Sequence, residues 1–289
     1  MYTQNKIKMN VSDYLSSKYK AKTAASYFWE WTQFEAFLFN MNMLVSLVNH
    51  QIILLFVNHL QEKKLSNRSI NRSLMVIDLV FEGLKLVNPN PVRALRLRMP
   101  KEKPLSEPLP YAALLQCLSE FPMETPLERR NHLILSLMTY QGLSAAEIMS
   151  LKINDISLQK AQISIPSILR SNSRDLDLNA LQIIEIQSYL SEVRPQLPSC
   201  GEALFPCMSS SQSLNNSLMN LKKQLKKRIP KLKNLAHWRS SVIVYWLENQ
   251  SILDVQNKLG HRYPSSTERY KIHIIKSLQD DLNIYHPLK

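Results

Sequence analysis

No Asp or Glu lies between Glu202 and Glu248, yet that window carries Lys222, Lys223, Lys226, Lys227, Arg228, Lys231, Lys233 and Arg239. A solvated surface interleaves both signs, so a one-sign stretch repels itself until a polyanion neutralises it. The chemistry on offer is phosphate binding with release of counterions, which weakens steeply with salt. A lipid surface fits poorly, because the strip has no large apolar face to insert. The strip runs into a second group of reactive side-chain types, between His237 and His273. Their pattern predicts a helix over Arg239 to Glu248, a short helix over Ile252 to Leu259, then Gly260-His261 and a polar turn that ends at Tyr270. Gly260, one of only four glycines, is placed to end the second helix.

Leu259-Gly260-His261, the nine-residue step to Tyr270, and Arg239-Ser240-Ser241 leading to Leu247-Glu248-Asn249 together resemble the tyrosine recombinases, or phage-integrase-type recombinases. Gly142-Leu143, Glu147-Ile148 and Leu151 ahead of Asp155-Ile156, then Leu204-Phe205-Pro206 and the terminal His286-Pro287, keep the order of that family. Leu65-Ser66, Ser69-Ile70 and Asn90-Pro91 fit its helical core-binding domain. The resemblance covers close to the whole chain, and it rests on order and spacing rather than on any one word. It implies that a tyrosine hydroxyl attacks a DNA phosphate, giving a 3′-phosphotyrosine and a free 5′-hydroxyl with no metal and no cofactor. In such a site two arginines clamp the phosphate as negative charge builds on its non-bridging oxygens. A β-turn lysine protonates the leaving oxygen and histidines assist proton transfer. By this resemblance Tyr270 stands at the nucleophile, His261 at the late histidine and Arg239 at the second arginine.

Three positions depart from that pattern. Ser144 follows Gly142-Leu143, where the first arginine is expected. Ala236 stands three residues before Arg239, at the place of the early histidine; His237 is one residue off, about 100° around a helix. The β-turn lysine falls near Leu169, with Arg170 the closest basic group, and arginine is a poor proton donor. Losing one charge-stabilising donor typically takes about 10²–10³ off a rate. Strand cleavage is therefore expected to be impaired unless Arg170, His237 or a partner subunit restores the site. Two readings follow: an active recombinase or transposon integrase, or a non-cutting relative that binds recombination sites and controls a partner recombinase. A topoisomerase-like relaxing enzyme would need the absent cations just as much.

Positioning these residues calls for a mainly α chain with a small β-sheet in its C-terminal domain; the resemblance implies a two-domain clamp. The 289 residues, 45% hydrophobic, suffice for two buried cores, and Leu-rich stretches of helical period dominate. The divisions expected are an N-terminal helical DNA-binding domain over 1–87, a basic linker over 88–110 and a catalytic-type domain over 111–289. Six prolines within 88–110 forbid a helix there, and Arg93, Arg96, Arg98, Lys101 and Lys103 suit an extended strand along a phosphate backbone. Before it, Ser66 can cap a helix whose first turns present Asn67, Arg68, Asn71 and Arg72 to a DNA groove. After it, Gln162 to Pro166 and Asp175 to Leu178 read as two antiparallel strands joined by a basic turn. Trp238, Tyr245 and Trp246 are read as core.

A formal net charge of +13 implies a polyanionic partner, for which nucleic acid and an acidic membrane surface are the two usual choices, and the resemblance makes it double-stranded DNA. No apolar run is long enough to span a bilayer, and MYTQNKIKMN lacks the apolar core of a signal peptide. Cys117, Cys200 and Cys207 have no metal-like spacing, so a cytoplasmic protein with buried thiols and no metal or cofactor is expected. Family resemblance further suggests self-association, or pairing with a partner recombinase, through the tail Ile274 to Lys289.

Overall fold

The computed structural model describes residues 2–99, 106–168, 171–197, 201–206 and 214–275, with side chains from residue 10 onward. The chain divides into two compact units, Met1–Pro104 and Leu105–Lys289, each with its own apolar core.

The first unit is built from α1 (Tyr2–Lys18), α2 (Ala21–Asn40), α3 (His50–Glu62) and α4 (Asn67–Leu84). Asn49 caps α3 by accepting from Ile52 N, and Ser66 caps α4 by accepting from Ser69 N. The apolar stripes of α2, α3 and α4 meet edge-to-face: Phe34 lies 5.0 Å from Phe56 and 6.1 Å from Phe81, and Trp31 lies 5.8 Å from Phe34. Residues 88–99, expected to be an extended linker, fold back onto this unit. Val92 is fully buried, and Leu95 and Leu97 pack on the core. Asn71 secures the return by donating to Leu97 O (2.8 Å) and accepting from Leu97 N (2.7 Å); Asn67 donates to Arg98 O (2.9 Å). The cause is alternation: Leu95 and Leu97 turn inward, leaving Arg96 and Arg98 exposed. Lys101 and Lys103 lie outside the described residues.

The second unit begins with α5 (Tyr111–Ser119), α6 (Pro126–Tyr140) and α7 (Ala145–Ser150). A three-stranded antiparallel sheet follows: β1 (Ile156–Ser157), β2 (Gln162–Ile165) and β3 (Arg174–Asp177), in the order β1-β2-β3. Ile163 pairs with both Ile156 and Leu176, and Ile163 and Ile165 point into the core while Ser164 stays outside. Then come α8 (Ala180–Ser188), a wide π-type turn (Tyr189–Val193), α9 (Leu214–Arg228), α10 (Leu235–Asn249), α11 (Ile252–Leu259) and the single turn α12 (Ser265–Glu268). Among the described residues the fold is thus mainly helical with one small sheet.

Helix α10 starts at Leu235 rather than Arg239, because Asn234 caps it by accepting from His237 N (2.8 Å). Trp238 is fully buried in the core and donates from Nε1 to Thr139 Oγ1 (3.1 Å), which fastens α10 to α6. Trp246 is buried as expected, but Tyr245 is 38% exposed. One position round the helix from Trp246, it stacks flat on Tyr111 at 3.9 Å instead of entering the core. Among the described residues no helix is long and apolar enough to cross a membrane. Cys117 is a buried free thiol; Cys200 and Cys207 lie outside the described residues.

Candidate active site

Glu147 is the centre of the site. It is fully buried on α7, where it closes a capping box with Ser144: Glu147 Oε2 accepts from Ser144 N (2.8 Å) and from Ser144 Oγ (2.7 Å). The same oxygen accepts from Arg239 Nη1 of α10 (3.0 Å), and Oε1 accepts from Arg174 Nη1 of β3 (2.8 Å). One carboxylate therefore holds two guanidinium groups, whose side chains are only 15% and 7% exposed. Burial by itself would raise the Glu147 carboxyl, but Arg239 and then Arg174 outweigh it and hold the group below its ordinary value. Burial pushes Arg239 down; Glu147 counters, Arg174 repels, and Tyr270 is close enough to favour its charge.

Two glycines let these elements approach. Gly142 has φ +60°, and a Cβ there would stand 2.8 Å from the Trp246 ring, which explains the Gly142-Leu143 pair ahead of α7. Gly260 ends α11 with φ +64°, and a Cβ there would lie 2.8 Å from both Asn172 O and Arg174 Nη1. Its carbonyl accepts from Asn172 N (2.8 Å), and Ser171 bridges to His261, so the β2–β3 turn is stitched to the end of α11. Arg174 Nε completes the join by donating to Lys258 O (2.6 Å).

His261 leaves this junction with Nδ1 hydrogen-bonded to the buried Thr267 Oγ1 at 2.8 Å. Burial first, then the Arg239 and Arg174 charges, push its pKa down to about 4, so the ring is neutral at neutral pH. Tyr270 follows α12, half-buried against the core of this unit, with its N–H donating to Thr267 O (3.1 Å). Arg239, His261 and Tyr270, singled out from spacing, lie near enough for Arg239 to bear on His261 and Tyr270 on Arg239, and Thr267 is hydrogen-bonded to both the His261 ring and the Tyr270 backbone. Neutral imidazole can pass a proton, a guanidinium can hold a phosphate oxygen, and a phenol can attack.

The departing positions have structural explanations. Ser144 is spent as the cap of α7. Ala236 is exposed on the first turn of α10 and carries no polar side chain. His237 does not take its place, because both ring nitrogens are occupied. Nδ1 accepts from Lys233 N (3.2 Å), which leaves the proton on Nε2 to be donated to Glu107 O (2.7 Å). Leu169 and Arg170 lie outside the described residues. Arg174 escaped the reading of spacing. Its signal was the strand alternation that sets Arg174, Leu176 and Leu178 on one face, which turns a cation towards an apolar interior. Glu147 carried the sequence signature of a capping box with Ser144, but its arginine partners come from distant elements.

The other basic residues are distributed over both units. On α9, Leu218, Leu221 and Leu225 are buried; Lys223, Lys226 and Lys227 are exposed and Lys222 is half-buried. Arg228 donates to Glu120 O (3.0 Å) and lies over the Phe121 ring, while Lys231 and Lys233 sit exposed in the loop to α10. In the first unit Arg68, Arg93 and Arg98 are exposed, Arg72 pairs with Glu30 (3.5 Å) and Arg96 with Asp78 (3.1 Å). Among the described residues no group of three or more His, Cys, Asp or Glu could hold a metal ion.

A sequence model of the phage integrase family matches residues 111–274, the span that holds every residue of this pocket. The chain belongs to that family. Relatives in the family include a tyrosine recombinase of Pseudothermotoga lettingae, 25% identical over 93% of this chain and 94% of its own length. The tyrosine recombinase XerC of Pelotomaculum thermopropionicum is 27% identical over 77% of this chain and 76% of its own. In fold, the chain is similar to XerH site-specific recombinase bound to a palindromic difH substrate (TM-score 0.69, 17% identity, 91% of this chain and 80% of that one). It is also similar to a lambda integrase tetramer bound to a Holliday junction (TM-score 0.66, 15% identity, 92% and 76%). The phage integrase fold is therefore present along nearly the whole chain.

Proposed function

We propose that this protein binds double-stranded DNA and acts in site-specific recombination, with its own strand cleavage impaired. The reading rests on one observation: the residue after Gly142-Leu143 is a serine spent on capping α7, so no arginine reaches the pocket from that position. Arg239 would hold a scissile phosphate oxygen, Tyr270 would stand at the nucleophile, and His261 would use Nε2, since Nδ1 is held by Thr267. Lys222, Lys223, Lys226, Lys227, Arg228, Lys231 and Lys233, with Arg170, would contact the DNA backbone, as would Arg68, Arg72, Arg93, Arg96 and Arg98 of the N-terminal unit. That relatives of the same fold hold DNA supports the partner.

With neither Ser144 nor Ala236 able to supply charge or a proton, the protein would bind recombination sites in the cytoplasm beside a partner recombinase or a second copy. A fully active recombinase is the second reading, favoured by the proximity of Arg239 to His261 and to Tyr270. Restoring the absent groups separates the two. A Ser144→Arg, Ala236→His variant should form a covalent protein–DNA adduct on a nicked duplex at least about 10²-fold faster than the wild type. No gain in a folded double variant would sink the claim that these two positions limit cleavage.

A further inference from the structure

Two arginines share one carboxylate in the pocket, and only Arg239 was marked by its sequence setting. The other, Arg174, is the more deeply enclosed: its side chain is 7% exposed, pinned by Lys258 O on one side and Glu147 Oε1 on the other. Burying a guanidinium this far costs several kcal/mol unless it is paired and fully hydrogen-bonded. Arg174 is paired, but its Nη2 is buried without an acceptor among the described residues, and so is Ser171 Oγ on the same turn. A buried donor left unsatisfied loses its hydrogen bonds to water and gains nothing in return. A residue serving only to staple β3 to α11 would gain nothing from that arrangement.

Charge explains what Arg174 adds. Without it, the Arg239–Glu147 pair would be neutral, and a neutral pocket has little attraction for a phosphate. With it, two guanidinium charges face one carboxylate, while His261 stays neutral, so the pocket keeps one net positive charge. We infer that Arg174 is a positioning residue that supplies, through Glu147, the phosphate-attracting charge which Ser144 does not bring. It neutralises Glu147, so the charge of Arg239 is left for the DNA. The Arg174 guanidinium, with its spare Nη2 donor, belongs to the same polar junction, its Nη1 lying close against Gly260. This inference rests on the DNA-binding reading above but not on whether the protein cuts.

The test uses the full chain and a labelled random-sequence duplex, measuring affinity across a salt series. Each neutralised phosphate contributes a slope of about 0.9 in log affinity against log salt. Arg174→Gln should therefore lower the magnitude of the slope by about 0.9. Arg174→Lys keeps the charge and should keep the wild-type slope. The decisive variant is Arg174→Gln with Glu147→Gln, which removes one charge of each sign, leaves the net charge of the pocket unchanged and should restore the slope. An unchanged slope in a folded Arg174→Gln protein overturns the inference, as does a loss that persists in the double variant. If Arg174→Gln fails to fold, the Lys and double variants decide, and a reduced slope in either overturns it. A wild type without salt-dependent binding would refute the DNA-binding reading and this inference together. A covalent adduct from the wild type would refute impaired cleavage alone and leave every slope as predicted.

Discussion

Glu147→Gln is the substitution to which the pocket should be most sensitive. Glutamine keeps the shape of the side chain and can still serve in the capping box with Ser144, so the change is almost purely one of charge. It leaves Arg174 and Arg239 facing each other without the carboxylate that holds them at 2.8 and 3.0 Å. Deleting one partner of a buried ion pair costs about 3–5 kcal/mol. Solvent screens this little, since the two guanidinium side chains are 7% and 15% exposed and the carboxylate not at all. For a unit of this size each kcal/mol moves the midpoint by about 2–4 °C, so the C-terminal transition should fall by roughly 6–20 °C.

Differential scanning calorimetry of the full chain measures it, with Glu192→Gln as the control. Glu192 meets Arg129 at 2.9 Å but is 60% exposed, and a pair so open to solvent contributes little. The sign with pH is also fixed. Because Glu147 is held below the ordinary carboxylate value, its contribution is complete above that value and is lost as pH falls through the lower, folded one. The gap between wild type and Glu147→Gln should therefore close in acid. A Glu147→Gln protein that melts with the Glu192→Gln control would refute the claim that this carboxylate balances two buried cations.

Gly260→Ala must force a side chain into φ +64° and to 2.8 Å from Asn172 O, so it should cost upward of about 1 kcal/mol; an unchanged denaturant midpoint would show that the turn gives way freely. His261, with its pKa pushed down to about 4, stays neutral while the unfolded chain takes up a proton below about 6.5. Stability should thus drop between those values, by about 1–2 kcal/mol once partial exposure of the ring is allowed for, and a His261→Gln variant should lack that part of the slope. Replacing Lys226 and Lys227 together by Ala should weaken duplex binding uniformly across sequences and lower the salt slope by about 0.9 for each phosphate no longer neutralised. Discrimination between sequences that changed while the slope held would assign the pair to base reading instead.

Much of the fold could be read from local pattern. Ser66 announces a helix because capping is a matter of one side chain and the next turn, and α11 ends at Gly260 because glycine adopts its left-handed backbone without strain. What escaped was set by partners far along the chain. The segment 88–99 carries linker residues, yet Val92, Leu95 and Leu97 find a core and Asn71 finds their backbone. Tyr245 has an apolar ring next to a buried tryptophan, but the helix turns it out to Tyr111. The site divides the same way. Arg239, His261 and Tyr270 could be singled out because they fall in order within one short stretch of chain, whereas Arg174 meets Arg239 only through a sheet register and a carboxylate on another helix.

The central claim is that this phage integrase family member has kept the DNA pocket and lost most of the cleavage. The most direct measurement is incubation of the wild-type protein with nicked suicide duplex substrates, followed by a search for a covalent complex, with Tyr270→Phe as control. The account predicts salt-sensitive binding of these substrates with no adduct above that of the Tyr270→Phe protein. An adduct that forms readily in the wild type and vanishes in Tyr270→Phe would contradict it.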